Sequence, residues 1–203
     1  MLATTPTPTR LSAETLAQQL RQEEALLAGH FRLSSGLHSD TYVQCARVLR
    51  RPELAGPACA ELAAQIRDAG LQADVVVGPA MGGIIIGYEL ARQLGVPGIF
   101  TERDADGQMS LRRGFTLAPG DRVIIAEDVV TTGKSTLEVA RLLTDLGAEV
   151  LAVVSLIDRT DLGIDLPFPH FALQKVSAAV YAPAACPLCL DGVPVVKPGS
   201  RPG

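Results

Sequence analysis

The chain has 203 residues, of which 47% are hydrophobic and 20% are charged, and its formal net charge is −4. This size suits one domain with a substantial core, and the charge gives no basis for binding nucleic acid. No apolar run approaches the ~20 residues of a membrane-spanning helix, and the four cysteines are too few for a disulfide-dense scaffold. We therefore expect a cytoplasmic protein with neither a nucleic-acid nor a membrane partner.

The first thirty residues predict a leader and a surface helix. Residues 1–10 are rich in Thr and Pro, lack the apolar core of a secretory signal, and are expected to form a disordered leader. The apolar pattern of residues 11–27 predicts a helix that has Ser12 as its N-cap and ends near Gly29.

Residues 30–43 contain two short β-prone segments around a Ser-Ser-Gly turn, which predicts two strands with a tight connection. The hydroxyl groups and exposed amides of this turn, including those of Ser35 and Gly36, suit contact with a polar ligand. An ordinary hairpin turn is the alternative.

A glycine-rich loop follows the next helix and strand. Residues 52–69 predict a long helix, and residues 73–77 predict a buried strand that leads through the loop into a helix over 84–94. So much glycine lets backbone amides approach an anion closely, although glycine required only for packing is the alternative. The loop consists of Gly78, Pro79, Ala80, Met81, Gly82 and Gly83.

Residues 102–114 are polar and contain glycine, and they follow a short predicted strand over 96–101. This composition is typical of a mobile loop over a site. Its arginines, Arg103, Arg112 and Arg113, are planar cations suited to diphosphate oxygens; a solvated charged loop is the alternative.

The segment VIIAEDVVTTGKS carries the most informative pattern. Residues 123–126 predict a buried parallel strand, and Glu127 and Asp128 lie at its carboxyl end, where open α/β sheets place their ligands. Residues 131–135 form a hydroxyl- and glycine-rich turn before a helical pattern, which suits a phosphate cradle. Acids able to bind sugar hydroxyls beside such a cradle suggest a phosphorylated sugar as ligand.

The end of this segment also resembles a Walker P-loop, because Gly133, Lys134 and Ser135 follow one another. That motif requires a glycine five residues before the Gly-Lys pair. Asp128 occupies this position, so the nucleoside-triphosphate reading is excluded.

The remaining elements complete an alternating pattern. A helix over 136–146 and a strand over 149–157 follow the turn, and residues 171–176 predict a last strand. Strands alternating with helices indicate an α/β fold with an open, mainly parallel sheet flanked by helices on both faces. The strands of this sheet are expected near residues 74–78, 97–101, 122–127 and 149–157.

A tail over 178–203 is rich in Pro and Gly and contains Cys186 and Cys189 in a C-x₂-C motif. Such a motif is half of a structural zinc site, which normally has four ligands. Cys45, Cys59 and the three histidines show no complementary spacing, so we expect reduced thiols in an irregular tail. Two such motifs meeting across a dimer to form a Cys₄ site are the alternative.

The segment VIIAEDVVTTGKS resembles the phosphoribosyl diphosphate (PRPP) signature of type I phosphoribosyltransferases, which has four apolar residues, two acids, two apolar residues and a Thr/Ser/Gly-rich turn. The resemblance implies that Glu127 and Asp128 bind the ribose hydroxyls and that the turn binds the 5′-phosphate. The implied PRPP site comprises Glu127, Asp128, Val129, Val130, Thr131, Thr132, Gly133, Lys134 and Ser135.

A second motif, F-x-L-x-S-G-x-x-S, is similar to the N-terminal motif of orotate phosphoribosyltransferases, where it belongs to a small hood over the base. We expect such a hood over about 11–45. Better-known members carry a lysine where this chain has Ser34. The motif comprises Phe31, Leu33, Ser35, Gly36 and Ser39.

The resemblance covers about residues 25–177 and implies a type I phosphoribosyltransferase fold, in a domain over 11–177. The implied reaction joins orotate to the phosphoribosyl group of PRPP, giving orotidine 5′-monophosphate and pyrophosphate in pyrimidine (UMP) synthesis. It also implies Mg²⁺ held through PRPP rather than directly by the protein, and a homodimer in which a loop of one subunit reaches the other subunit's site.

Further roles follow from the same resemblance. The 78–83 loop matches the family's pyrophosphate loop, although Gly82 stands where a lysine is common. The 102–114 loop lacks the family's usual lysines and histidine, so Arg103, Arg112 and Arg113 are the expected cations, and Arg103 joins the two acids as a catalytic candidate. Arg159 matches the arginine that binds the orotate carboxylate, and Thr131, Ser35 and Gly36 complete the implied orotate site.

Two alternatives stay open at this point. The first is a phosphoribosyltransferase for a purine or another base, against which the hood motif and Arg159 argue. The second is a PRPP-binding regulator without catalysis. Such regulators usually act on nucleic acid, which suits a chain of net charge −4 poorly.

Overall fold

The computed structural model describes residues 12–33, 35–159 and 166–198. The expected leader over 1–10 and the position of Ser34 lie outside these residues. In chain order the elements are α1 (Ala13–Gln22), β1 (Leu26–Arg32), β2 (His38–Val43), α2 (Ala46–Leu49), α3 (Pro52–Asp68), β3 (Val75–Pro79), α4 (Gly82–Leu94), β4 (Gly98–Arg103), β5 (Met109–Leu111), β6 (Arg122–Val130), α5 (Lys134–Asp145), β7 (Glu149–Asp158), β8 (His170–Lys175), β9 (Val180–Tyr181) and α6 (Pro187–Leu190).

Six strands form the central sheet in the order β5-β4-β3-β6-β7-β8. All neighbouring pairs are parallel except β4 and β5, which are antiparallel. The predicted α/β fold is confirmed, and the last predicted strand, β8, lies at an edge of the sheet.

Helices cover both faces of this sheet. Val76 of β3 belongs to a core shared with Leu62 of α3 and Leu90 of α4, whereas Val77 belongs to a second core with Leu143 of α5. Since successive side chains of a strand point to opposite faces, a continuous apolar run satisfies both cores at once. None of the described helices combines the length and the hydrophobicity that crossing a membrane requires.

The predicted first helix is wrong at its C-terminal end. The helix begins after Ser12, whose hydroxyl accepts a hydrogen bond from Thr15 N as an N-cap does, but it ends at Gln22. Glu24 then takes a left-handed backbone conformation with φ of 51°. The following leucines belong to β1, so their apolar spacing reflects burial in a strand rather than continuation of the helix.

The predicted mobile loop over 102–114 is also partly wrong, because β4 and β5 fold as an antiparallel hairpin in which Thr101 pairs with Leu111. Asp104 closes the turn by accepting hydrogen bonds from Asp106 N and Gln108 N through Oδ1. The hydrophobic pattern of the sequence does not indicate this pairing, because β5 is short, lies among polar residues and is only half-buried.

A second sheet, in the order β1-β2-β9, forms the hood. The two predicted hood strands are confirmed as an antiparallel pair, and β9 of the tail adds the third strand, with Tyr181 opposite His38. The tail also bridges to β1, since Val196 N donates to His30 O. The expectation of an irregular tail is therefore only partly right: most of the described tail is turn and coil, but β9 and Val196 pair with the hood through the backbone, which composition does not reveal.

Candidate active site

The glycine-rich loop packs directly against β6. A Cβ atom added to Gly82 would lie 2.5 Å from Asp128 Oδ1, and one added to Gly83 would lie 2.6 Å from Ala126 O. A Cβ atom on Gly78 would lie 2.1 Å from Gly83 O. Glycine is thus required at Gly78 and Gly83 for close backbone approach, whereas Gly82 leaves room for the Asp128 side chain, so the loop lies beside the acidic pair.

The middle of this loop is anchored to the next strand and open to solvent. Ala80 N donates to Thr101 O at 2.8 Å, and the peptide bond between Ala80 and Met81 is cis. Met81 is 82% exposed. An exposed backbone turn at the carboxyl ends of two parallel strands lies where α/β sheets place their ligands.

The acidic pair is largely removed from water. Glu127 is buried and accepts a hydrogen bond from Ser135 Oγ at 2.9 Å. Burial raises the pKa of Glu127 to about 8; the Ser135 hydrogen bond opposes this rise, and the charge of Asp128 adds to it. Burial likewise raises the pKa of Asp128, against hydrogen bonds from the backbone, one of them from Val129 N at 2.9 Å. A buried carboxyl group next to a half-buried one, with the pKa values of both raised, is typical of a functional site.

The predicted phosphate cradle joins the acidic strand to α5. Gly133 has φ of 61° and precedes the first residue of α5, Lys134, while Thr131 and Thr132 are exposed on the turn. The first amides of a helix lack intrahelical partners and carry the positive end of its dipole. This arrangement can hold an anion such as a phosphate.

The β4–β5 hairpin supplies one arginine close to the cradle. Arg103 Nη2 lies 2.5 Å from Glu138 Oε2 of α5, and Nη1 donates to Gly107 O at 2.6 Å. Lys134 Nζ lies 4.0 Å from the other carboxylate oxygen of Glu138. Glu138 therefore holds a cation from the hairpin beside a cation of the cradle, a role that the sequence analysis missed.

The two other predicted arginines of this segment are arranged differently. Arg113 donates from Nε and Nη2 to the carboxylate of Glu102 at 2.7 and 2.9 Å, and its guanidinium lies 5.6 Å from the centre of the Phe100 ring. Arg112 is exposed. The hairpin thus turns Arg103 toward α5 while Arg113 is paired within the hairpin itself.

Arg159 lies just past β7, and its backbone N donates to Val130 O at 2.8 Å. Its Nε is buried and has no hydrogen-bond partner among the described residues. Burial lowers the pKa of the guanidinium, and the carboxylate of Asp40 acts in the opposite direction. A buried N–H without an acceptor costs free energy, which an anionic ligand would recover.

The base of the hood lies against the acidic strand. Cys45 Sγ donates to Asp128 O at 3.6 Å, and burial together with the charge of Asp128 raises the pKa of Tyr42. Asp40 and Tyr42 are two residues apart on β2 and so lie on one face of the strand. The sequence analysis missed both, although their alternation after the Ser-Gly motif was the available signal.

The predicted base-contacting residues lie at the tip of the hood hairpin. Ser35 and Gly36 are exposed, Ser35 Oγ accepts from Leu37 N at 3.4 Å, and Gly36 has φ of 83°. The described contacts join the base of this hairpin, rather than its tip, to the acidic strand.

Comparisons with known proteins agree with this geometry. The family model described as "Phosphoribosyl transferase domain" matches residues 49–176. The orotate phosphoribosyltransferase of Carboxydothermus hydrogenoformans is 54% identical over 180 residues, which cover 89% of this chain and 94% of that protein. The orotate phosphoribosyltransferase of Heliobacterium modesticaldum is 48% identical over 191 residues, covering 94% and 100%.

Solved structures place the fold in the same group. The orotate phosphoribosyltransferase of Aeropyrum pernix is similar with a TM-score of 0.66 and 25% identity, covering 79% of this chain and 93% of that one. The adenine phosphoribosyltransferase of Thermoanaerobacter pseudethanolicus has a TM-score of 0.60 at 21% identity, covering 67% and 88%. The latter likeness shows the fold alone, so backbone shape does not select the base.

Proposed function

This chain belongs to the phosphoribosyl transferase domain family, among the orotate phosphoribosyltransferases, and on that premise we propose how its residues transfer the phosphoribosyl group of PRPP to orotate. The products are orotidine 5′-monophosphate and pyrophosphate, in pyrimidine synthesis. The single observation that best supports an anionic base is the buried Arg159 Nε, which finds no acceptor among the described residues.

The ribose and its 5′-phosphate are assigned to the acidic strand and the turn after it. Glu127 and Asp128 accept hydrogen bonds from the ribose 2′- and 3′-hydroxyls, which add to those that the two side chains already accept from Ser135 Oγ and Val129 N. The turn over 131–135 binds the 5′-phosphate through its backbone amides, its hydroxyls and the N-terminus of α5. The Ser135 hydrogen bond to Glu127 ties the two halves of this site together.

The diphosphate is assigned to the glycine-rich loop and the hairpin. Backbone amides over 78–83 approach its oxygens, and Arg103 adds a planar cation. Because Glu138 holds Arg103 through an exposed ion pair worth ~0–1 kcal/mol, the diphosphate can displace this partner at little cost. Arg112 and Arg113 are secondary candidates from the same hairpin.

Orotate is assigned to the space between β7 and the hood. Arg159 binds its carboxylate, with a guanidinium geometry that suits two parallel hydrogen bonds. Thr131, Ser35 and Gly36 contact the base through a hydroxyl group and exposed amides. The negative charge of Asp40 raises the pKa of Arg159 and so favours the charged form of the guanidinium.

Mg²⁺ is the expected cofactor and would be held through PRPP rather than directly by the protein. The residues fit this expectation, because Glu127 and Asp128 are oxygen donors whose pKa values burial raises, and a nearby divalent cation favours their ionised form. When bound with PRPP, Mg²⁺ would offset the negative charge of the diphosphate leaving group.

The reaction is displacement at ribose C1, in which positive charge develops on the ribose ring. The carboxylates of Glu127 and Asp128 at the ring hydroxyls stabilise this charge, and the anion-binding loops hold the departing pyrophosphate. Positioning of the two substrates supplies the remaining rate enhancement, and no covalent nucleophile is required.

We propose a homodimer in which the hairpin over 102–114 acts in the neighbouring subunit's site, so that Arg103 leaves Glu138 of its own chain for the diphosphate in that site. An Arg103→Ala dimer and an Arg159→Ala dimer are then both defective. A dimer with one chain of each kind has one intact site, because the Arg103→Ala chain keeps its own Arg159 and receives Arg103 from the other chain. Mixing the two after mild dissociation should restore about a quarter of the wild-type activity if chains pair at random. If each hairpin serves its own subunit, mixing restores nothing.

The choice of base is tested with purified protein, PRPP and Mg²⁺. Orotate, uracil, adenine, hypoxanthine and xanthine are compared by kcat/KM from base absorbance and pyrophosphate release. We expect turnover of orotate at least about a thousandfold above that of uracil, which lacks the carboxylate and leaves Arg159 unpaired. Preference for a purine would overturn the orotate assignment, and PRPP binding without turnover of any base would favour a regulator.

A further inference from the structure

Four metal-binding side chains converge in the hood, although they are far apart in the chain. His30 and His38 come from β1 and β2, while Cys186 and Cys189 come from the start of α6 in the tail. One potential ligand atom from each lies within 4.8 Å of all the others. Three of the four residues are buried, and Cys189 is exposed. Sequence spacing led us to expect that the histidines do not complement the C-x₂-C motif; this expectation is wrong, because the fold brings His30 and His38 next to both cysteines.

The separations within this cluster approach those of a tetrahedral site. Cys186 Sγ and Cys189 Sγ lie 3.5 and 3.7 Å from His30 Nε2, and Cys189 Sγ lies 3.4 Å from His38 Nδ1. Standard zinc–sulfur and zinc–nitrogen bond lengths give about 3.6 Å between S and N ligands of a tetrahedron and about 3.3 Å between two N ligands. The two ring nitrogens lie 2.8 Å apart, so a shift of about half an ångström in one ring completes the geometry.

A further contact orients one of the rings. His30 Nδ1 lies 2.7 Å from Val193 O, a distance at which the ring N–H donates to the carbonyl. This bond leaves Nε2 with a lone pair directed at the two sulfur atoms. Metal-binding histidines usually have such an outer partner, which fixes the tautomer and the orientation of the ring.

We propose that this Cys₂His₂ cluster, formed within a single chain, binds one structural Zn²⁺ that clamps the C-terminal tail to the hood. Two thiolates and two imidazoles are the ligand set that zinc prefers, and four protein ligands leave no open position for catalysis. The Cys₄ site shared between subunits is thereby replaced as the zinc hypothesis.

The position of the cluster indicates what the metal does for the protein. His30 and His38 flank the hairpin tip that carries Ser35 and Gly36, so a metal bound between them fixes the base of that hairpin. The hood is a small sheet of three strands, and small units with little core commonly need a metal or a disulfide for stability. Resting on the orotate function proposed above, the metal orders the part of the hood that covers the base.

The first test measures metal without relying on activity. The full chain, produced without a polyhistidine tag, should contain one Zn²⁺ per chain by elemental mass spectrometry. Replacement by Co²⁺ should give the intense visible bands of a tetrahedral site and the near-ultraviolet bands of thiolate ligation. A chain that folds without metal, and takes up neither ion when it is supplied in slight excess, would overturn the proposal and leave a histidine–histidine hydrogen bond beside two thiols.

Matched variants assign the ligands. Cys189→Ser changes the exposed ligand and should lose at least about nine-tenths of the bound zinc under competition from a chromophoric chelator. Cys59→Ala and His170→Gln, which remove a cysteine and a histidine outside the cluster, should keep full occupancy. Equal occupancy in Cys189→Ser and in these controls would contradict the assignment.

A final measurement separates this proposal from the orotate assignment. Zinc removal should lower the Tm by about 5 °C or more and raise the KM for orotate more than the KM for PRPP. Both changes should reverse when zinc is restored. A protein that binds zinc but does not consume orotate would refute the proposed function and leave the zinc site supported. A protein whose orotate turnover and Tm are the same with and without zinc would refute the structural role of the metal alone.

Discussion

Replacement of Arg159 by alanine tests the most specific statement about the site. The guanidinium is half-buried, and its Nε lacks a hydrogen-bond partner among the described residues, so the free protein gains little from it. Bound orotate would supply a carboxylate that accepts two parallel hydrogen bonds. Arg159→Ala therefore removes interactions that exist only in the complex.

The magnitude follows from those two bonds. Hydrogen bonds to charged groups contribute ~1.5–3 kcal/mol each, and the lower end applies here because Asp40 competes for the guanidinium. Two bonds at the lower end give about 3 kcal/mol, which corresponds to a roughly 100-fold loss of kcat/KM for orotate. The Tm should not fall, since an unsatisfied buried polar group is removed with the side chain.

The assay follows orotate absorbance while each substrate is varied in turn. Arg122→Ala is the control: it removes an exposed arginine paired with Asp74 at the opposite end of the sheet and should leave both KM values unchanged. An Arg159→Ala protein that keeps its kcat/KM for orotate within about threefold would refute the assignment. So would an equal loss for orotate and PRPP in equilibrium binding, because that would indicate general damage to the site.

Three further outcomes are expected. Since burial raises the pKa of Glu127 to about 8, the folded chain keeps a proton that the unfolded chain loses between pH 5 and pH 8. The free energy of unfolding should therefore fall over this range by up to about 1 kcal/mol per pH unit. Glu127→Gln should flatten this slope in urea titrations. Equal slopes in the two proteins would contradict the pKa shift. Gly82→Ala places a Cβ atom 2.5 Å from a carboxylate oxygen of Asp128 and should lower kcat/KM for PRPP at least about tenfold. Gly56→Ala is the control: it lies in a helix, its added Cβ atom has its nearest neighbour at 3.6 Å, and it should keep normal kinetics and raise the Tm. Glu138→Gln releases Arg103 and should strengthen PRPP binding about two- to fivefold in calorimetry, while weaker binding would show that the ion pair positions the arginine productively.

The central sheet was predictable because its strands are apolar on both faces. Residues 123–126 are fully buried, and an apolar run this short between turn signals is typical of a strand covered on both faces. The acids at 127 and 128 could be placed for the same reason, since their position follows from the strand that precedes them. Their raised pKa values could not, because burial depends on the neighbouring glycine-rich loop and the hood.

The errors arose where pairing or distance decides the structure. The leucines at 26 and 27 satisfy a helical spacing as well as a strand, and only their pairing with β2 distinguishes the two. The zinc candidate needs two histidines brought next to cysteines about 150 residues later in the chain. No spacing rule within the sequence encodes that approach, which depends on β9 pairing with the hood.

The most direct test of the account is the chemical balance of the wild-type reaction. Purified protein is mixed with orotate, PRPP and Mg²⁺, and the mixture is analysed by mass spectrometry alongside a pyrophosphate assay. We expect orotate to disappear in equal amounts to the orotidine 5′-monophosphate and pyrophosphate that form, with no pyrophosphate release when orotate is omitted. Pyrophosphate release that does not depend on orotate, or unchanged orotate in the presence of PRPP and Mg²⁺, would contradict the transfer to orotate.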